Sequence, residues 1–282
     1  MLEILATGPG MTLQDFGRPG WRRYGLPAGG AMDSAAMALA NQLLGNPSQA
    51  PVLEVFRQGA RIRIAEPTWL ALAGAGFCSG VPTPSARLFH AGEVLVFDQN
   101  VSGCFAYLAV PGGFLAKQWF GSAASDPRNG LGPVLQKDDC LTTVLRQPNI
   151  STQGVARRLP AESPRPLPTE CTAFQLYRGP QYEAFTESAR RSFIETEWTV
   201  SPRSDRCGYR LEGADLEVPE SIPSGPVLPG SFQVTGGGKP IITMPDGPTV
   251  GGYAQIAVLP AAELGLCAQC APGAKLHFSW IN

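Results

Sequence analysis

The sequence predicts a mainly β chain of two sub-domains with a few helices, and three observations predict it. Apolar runs are short and many alternate with a period of two, as in Arg61-Ile62-Arg63-Ile64. Glycine and proline are abundant, with 33 and 27 in 282 residues, which suits many tight turns and falls short of low complexity. A proline-rich stretch then divides the chain near its middle. It carries Pro148, Pro160, Pro164, Pro166 and Pro168 with little apolar periodicity, so it reads as a linker. The expected organisation is an N-terminal sub-domain over 1–150, a linker over 151–169 and a C-terminal sub-domain over 170–282.

Each element has its own signal. Val94-Leu95-Val96-Phe97 and Phe105 to Val110 are short apolar strands bounded by Gly or Pro. Pro240 to Met244 is another, and Leu276 to Trp280 alternates near the end. Helices are few. Asp33 is placed to cap a helix through Met37, Ala40, Leu43 and Leu44, with Gly45 at its C-terminal end and Pro47 after it. Tyr182 to Trp198 sets Phe185, Ala189 and Phe193 on one stripe, with Arg190 and Arg191 opposite. Pro260 to Gln269 is a third candidate, with Pro260 at its first turn. The two halves share a phrase: Ala91-Gly92-Glu93-Val94-Leu95-Val96-Phe97 resembles Pro272-Gly273-Ala274-Lys275-Leu276-His277-Phe278.

Composition narrows the function. Hydrophobic residues reach 44%, enough for a core, while charged residues stop at 16%, well under the usual ~25%. The net charge is −1 and no basic run stands out, which gives no support to a nucleic-acid or anionic-membrane partner. No signal peptide and no apolar run of ~18 residues is evident, so the expectation is a cytoplasmic chain outside the membrane. Seven scattered cysteines then read as free thiols in a reducing compartment.

Several familiar motifs fail on spacing. Gly236-Gly237-Gly238-Lys239 has Gln233 and Pro240 where a phosphate loop needs Gly and Ser/Thr, so it reads as a turn between strands. Cys267-Ala268-Gln269-Cys270 is half a zinc or redox pattern, but the other cysteines are isolated and the histidines are only His90 and His277. Packing on a helix is the better account, and no metal site is expected. With two histidines, acid–base work falls to Asp, Glu, Arg, Lys or Tyr.

Two loops gather polar groups among glycines and prolines. The first runs from Gln14 through Asp15, Arg18 and Gly29 to Asp33. Its glycines admit a ligand close to the backbone and its prolines stiffen it. Arg18 offers a planar fork for a carboxylate or amide carbonyl, and Asp15 either orients Arg18 or accepts hydrogen bonds itself. The alternative is an Asp15–Arg18 pair in a structural loop, with Asp33 only capping a helix. The second loop runs from Asp246 through Thr249, Gly251 and Gly252 to Tyr253. Between them Ser204 to Gly213 carries Asp205, Arg206, Tyr209 and Arg210.

In this order the segments resemble the biotin-dependent carboxyltransferase-type family. That family includes the C subunit of bacterial 5-oxoprolinase, allophanate hydrolase subunit 2, the antagonist of a sporulation-kinase inhibitor and the carboxyltransferase domain of urea carboxylase. The resemblance rests on Gln14-Asp-Phe-Gly-Arg-Pro-Gly with Gly29-Gly-Ala-Met-Asp33, Asp205-Arg-Cys-Gly-Tyr-Arg-Leu-Glu-Gly213, Pro229-Gly-Ser-Phe-Gln-Val234 and Asp246…Gly251-Gly-Tyr253. Tyr107 to Gly113 and Gly121-Ser122 also fit. The chain departs from the family at Pro248, where Gln is usual. It departs again at Ser224-Gly225 for Ser-Glu, and at Ala123, where the G-S-R-S-T phrase has its arginine.

The resemblance implies two cyclophilin-like β-barrel sub-domains. It also implies a sister cyclophilin-like protein, the B subunit of 5-oxoprolinase, and in that enzyme a large hydrolase component, its A subunit. The role implied is part of an ATP-dependent hydrolase that opens 5-oxoproline to glutamate. The chain would be inactive alone, with ATP bound through a partner and no cofactor of its own. One alternative is a carboxyltransferase taking CO2 from carboxybiotin on a carrier protein to urea or a similar amide. Another is a non-enzymatic regulator that binds a kinase inhibitor. The implied catalytic residues are Asp15, Arg18, Asp246 and Tyr253. The implied contacts to a small amide or carboxylate substrate are Gln14, Gly29, Arg206, Tyr209, Arg210, Thr249, Gly251 and Gly252.

Overall fold

A computed structural model describes residues 1–99, 101–145, 166–168, 171–220 and 222–281. The expected linker, apart from 166–168, lies outside the described residues. The chain is mainly β, with three α-helices among the described residues. It divides into two compact units. Unit 1 comprises Met1–Arg18 and Asp33–Leu167, and unit 2 comprises Pro19–Met32 and Pro168–Asn282.

Unit 1 is built from two antiparallel sheets. One has the order Val94–Val96, Ala60–Ile64, Leu2–Thr7, Cys140–Leu141, and the other the order Gly10–Gln14, Val52–Phe56, Phe105–Ala109, Thr68–Gly74, Ser85–Phe89. Alternation explains the burial. Ala60, Ile62 and Ile64 are inside while Arg61 and Arg63 are exposed. Leu2, Ile4, Leu53, Leu72, Phe97 and Leu108 meet in one core. Helix α1 (Ser34–Leu44) lies against Thr68–Gly74 and Phe105–Ala109. Asp33 caps it by accepting from Ala36 N at 3.0 Å, and left-handed Gly45 ends it.

Unit 2 contains a closed seven-stranded barrel. Its order is Cys171–Arg178, Ala254–Val258, Ser231–Val234, Pro240–Thr243, Gly208–Glu212, Trp198–Val200, Lys275–Trp280. The closing pair is parallel, from Cys171 opposite Lys275 to Leu176 opposite Trp280, and the other pairs are antiparallel. Tyr182 to Trp198 is not one helix. Tyr182–Ala184 is a 3-10 turn, Thr186 caps α2 (Glu187–Glu195), and Trp198 opens a strand. The capping threonine and extended Phe185 interrupt the helical stripe. Phe193 of α2 stacks on Phe278 at 5.5 Å and meets Phe232 edge-on at 5.6 Å.

The third helix, α3 (Ala261–Ala268), buries Cys267 near its end, and Cys270 follows, also buried. Burial holds the Cys267 thiol well above its ordinary range. Gly236–Lys239 is the hairpin turn between Ser231–Val234 and Pro240–Thr243. The echoed phrases are both turns entering a strand, with Gly92 and Gly273 at φ of 89° and 91°. Among the described residues no helix is long and apolar enough to cross a membrane.

Candidate functional site

The loop from Gln14 to Asp33 serves both units. Residues 14–18 are stapled to 122–125 in unit 1, and residues 19–32 are stitched into unit 2.

In unit 1 the staple runs almost residue by residue. Asp15 Oδ1 accepts from Gly17 N at 2.7 Å and Ser122 Oγ at 2.6 Å, and Oδ2 accepts from Ala123 N at 2.7 Å. Arg18 Nη2 donates to the Ala124 carbonyl, and Gln14 Nε2 donates to the Ser125 carbonyl at 3.1 Å. Ser125 N returns a bond to Leu13 O at 2.8 Å. Bonds to a charged acceptor contribute about 1.5–3 kcal/mol each, so Asp15 is a strong fastener. It fastens the loop and makes no ion pair with Arg18, against the structural alternative drawn from the sequence. Ala123 takes part through its backbone N–H, which explains how the staple survives where the family carries arginine.

Arg18 is wholly buried, yet its Nε and Nη1 have no hydrogen-bond partner. Gln14 Oε1 and Ser125 Oγ are likewise buried without partners. In the sequence Ser122 stands out only as part of a family phrase, and Ser125 carries no signal of its own. The signal was the Gly121-Ser122 phrase, whose pairing with residue 15 spans 107 positions.

In unit 2 the same loop is held by arginines and carbonyls. Arg206 grips Asp246 side-on, with Nε to Oδ2 at 2.7 Å and Nη2 to Oδ1 at 3.1 Å. Arg206 Nη2 also reaches Gly30 O at 2.6 Å, and Gly29 N donates to Pro245 O at 3.1 Å. Gly29 and Gly30 have φ of 65° and 92°, which favours glycine where these carbonyls and amides must turn inward. Arg22 donates to the carbonyls of Val227 and, at 3.3 Å, Pro248, so Pro248 contributes through its backbone. Burial lowers the pKa of Arg22.

The other candidates of unit 2 take varied positions. Tyr209 points into the barrel and donates to Ala268 O at 2.6 Å, while Arg210 is exposed on the same strand. Thr249 accepts from Val227 N through its carbonyl, and Gly251 pairs with Gly225 in a two-stranded sheet. A Cβ at Gly251 would stand 2.6 Å from Gln233 Oε1, so a side chain there would displace that amide. Gly252 and Tyr253 are exposed, Tyr253 by 50%.

A further polar group lies beneath α1. Glu54 is only 2% exposed, on a strand otherwise apolar, and accepts from Tyr107 Oη at 2.9 Å. Tyr107 Oη in turn accepts from Asp33 N at 2.7 Å. Burial, then the negative charges of Glu54 and Asp33, hold the Tyr107 hydroxyl well above its ordinary pKa.

The chain is mainly β and divides into two units, and its N-terminal loop is held in one by Arg18 and in the other by Arg22 and Arg206. The chain matches the family model of the carboxyltransferase domain, subdomains A and B, over residues 24–280, and it belongs to that family. The 5-oxoprolinase C subunit of Escherichia coli K12 is 34% identical over 99% of this chain and 90% of its own length. The solved structure of TTHA0988 superposes with a TM-score of 0.87 at 31% identity, over 99% of this chain and 55% of that one. The urea carboxylase of Kluyveromyces lactis gives a TM-score of 0.87 at 27% identity, with this chain covering 27% of it. The chain thus spans about half the length of the first solved relative and about a quarter of the second.

Proposed function

We propose that this chain is one component of an ATP-dependent amide hydrolase of the 5-oxoprolinase type, which opens 5-oxoproline to glutamate with a sister protein of related fold. The observation that carries this reading is the end-to-end likeness to a protein named as the C subunit of 5-oxoprolinase, with the Gln14–Arg18 staple intact. On this reading the buried guanidinium of Arg18 meets the anionic end of a small substrate. Asp15 holds the loop that carries it, while Arg206 and Asp246 fix Gly29–Gly30. ATP binding falls to a partner, in keeping with Gly236–Lys239 serving as a hairpin turn. The test is reconstitution with the companion subunits of the same organism. The full set should release glutamate and ADP from 5-oxoproline and ATP, and leaving out this chain should abolish release. Undiminished release without it contradicts the proposal.

A second reading is favoured by the likeness to urea carboxylase: a carboxyltransferase component that takes CO2 from carboxybiotin on a carrier protein. A biotinylated protein in the purified complex, with transfer of labelled CO2 to urea, would replace the first reading with this one.

A further inference from the structure

Eight buried side-chain polar atoms among the described residues have no hydrogen-bond partner, and four of them sit on one knot. They are Gln14 Oε1, Arg18 Nε, Arg18 Nη1 and Ser125 Oγ, all on the staple between 14–18 and 122–125. We propose that Gln14, Arg18 and Ser125 form a binding site for one small carboxylate that carries a hydrogen-bond donor beside it.

The reasoning starts from what the knot lacks. Arg18 is wholly buried and its one hydrogen bond goes to a neutral carbonyl. The two oxygens of Asp15 are already bonded to Gly17, Ser122 and Ala123. A buried cation without a counter-ion is costly, and unmet buried donors add to that cost. Water alone would meet the hydrogen bonds and leave the charge. A carboxylate meets both, with oxygens for Arg18 and for the Ser125 hydroxyl.

Gln14 Oε1 then narrows the ligand. It is an acceptor, fixed in orientation because Gln14 Nε2 donates to Thr12 Oγ1 at 3.0 Å and to Ser125 O at 3.1 Å. The ligand must therefore present an N–H or O–H next to its carboxylate. A phosphate dianion fits poorly, since it brings two charges to one cation. Two sources supply the required chemistry. 5-Oxoproline has a ring N–H beside its carboxylate, and hydrogencarbonate has an O–H on the same carbon. The site chemistry is common to both. Choosing 5-oxoproline rests on the hydrolase reading given above.

The test is calorimetric titration of the full chain with three probes: 5-oxoproline, 2-pyrrolidinone (the same ring without the carboxylate) and hydrogencarbonate. Binding of 5-oxoproline, with 2-pyrrolidinone at least tenfold weaker, supports both the site and the hydrolase reading. Binding of hydrogencarbonate alone supports the site and sinks the hydrolase reading. Binding of none of the probes overturns the site. Arg18→Gln and Ser125→Ala should each weaken the bound probe about tenfold or more. If Arg18→Gln fails to fold, Gln14→Glu decides the matter. It puts a negative charge into the staple that also holds Arg18, so it should raise the melting temperature and abolish binding. Unchanged affinity in folded Gln14→Glu and Ser125→Ala would overturn the proposal.

Discussion

Arg18 and Arg206 are both motif arginines that hold part of one loop, and they are held in opposite ways. Arg206 in unit 2 is matched: a side-on carboxylate from Asp246 and a carbonyl from Gly30. Arg18 in unit 1 is deeper, wholly buried, and has one carbonyl with two nitrogens unmet. A matched arginine fixes a backbone and loses by any change to its partner. An unmatched one adds little to stability, and its unmet donors are what the proposed carboxylate site rests on. Chemical similarity in sequence therefore does not predict similar use. The location of the nearest carboxylate decides it.

The sharpest break of this comparison is to remove the match. Asp246→Ala removes the carboxylate that Arg206 grips side-on in a mostly buried pair, and should cost about 3–5 kcal/mol in urea denaturation. A cost under 1 kcal/mol would mean that solvent reaches the pair and that Arg206 is no better held than a surface arginine.

Next in size is the network under α1. Tyr107→Phe removes a hydroxyl that accepts from Asp33 N and donates to Glu54, which should cost about 1–3 kcal/mol. The pH dependence follows from the raised pKa of Tyr107. The folded chain keeps this proton at pH values where the unfolded chain, near its ordinary 10, has lost it. The contribution is therefore complete below pH 10 and declines as pH rises toward the folded value. Between pH 9 and 11 the stability of Tyr107→Phe should fall less steeply than that of the parent. Equal slopes would contradict the burial of that hydroxyl.

The smallest effect is Asp33→Ala. It removes the cap of α1 and should cost about 1 kcal/mol while leaving substrate affinity unchanged, as read by thermal melting and titration. A large loss of affinity would instead put Asp33 at the site.

These residues also mark what the sequence revealed. Asp33 and Gly45 announced α1 because caps are local, and Arg61 to Ile64 announced a half-buried strand because period two is local. Gly236–Lys239 was legible as a turn for the same reason. The staple was not. Ser122 and Ser125 bond to residues 107 and 111 positions away, a separation at which no periodicity survives. The division of Gln14–Asp33 between two units was also hidden, because both parts share one glycine-rich composition. Glu54 left a trace in the sequence: a carboxylate inside Val52-Leu-Glu-Val-Phe56 is either misplaced or partnered. At Ala123, where the family carries arginine, the backbone N–H makes the bond to Asp15, a role the residue type does not reveal.

The account turns on Arg18 being an unmatched cation, and one paired measurement tests that most directly. Arg206→Gln and Arg18→Gln are compared by chemical denaturation of the full chain without ligand. Arg206→Gln should cost about 3 kcal/mol or more, because it removes the side-on pair with the buried Asp246 carboxylate. Arg18→Gln should change stability by less than about 1 kcal/mol, or raise it, because it removes a buried charge with no ion pair among the described residues. An Arg18→Gln protein as destabilised as Arg206→Gln would show that both arginines are scaffold, and would contradict the account.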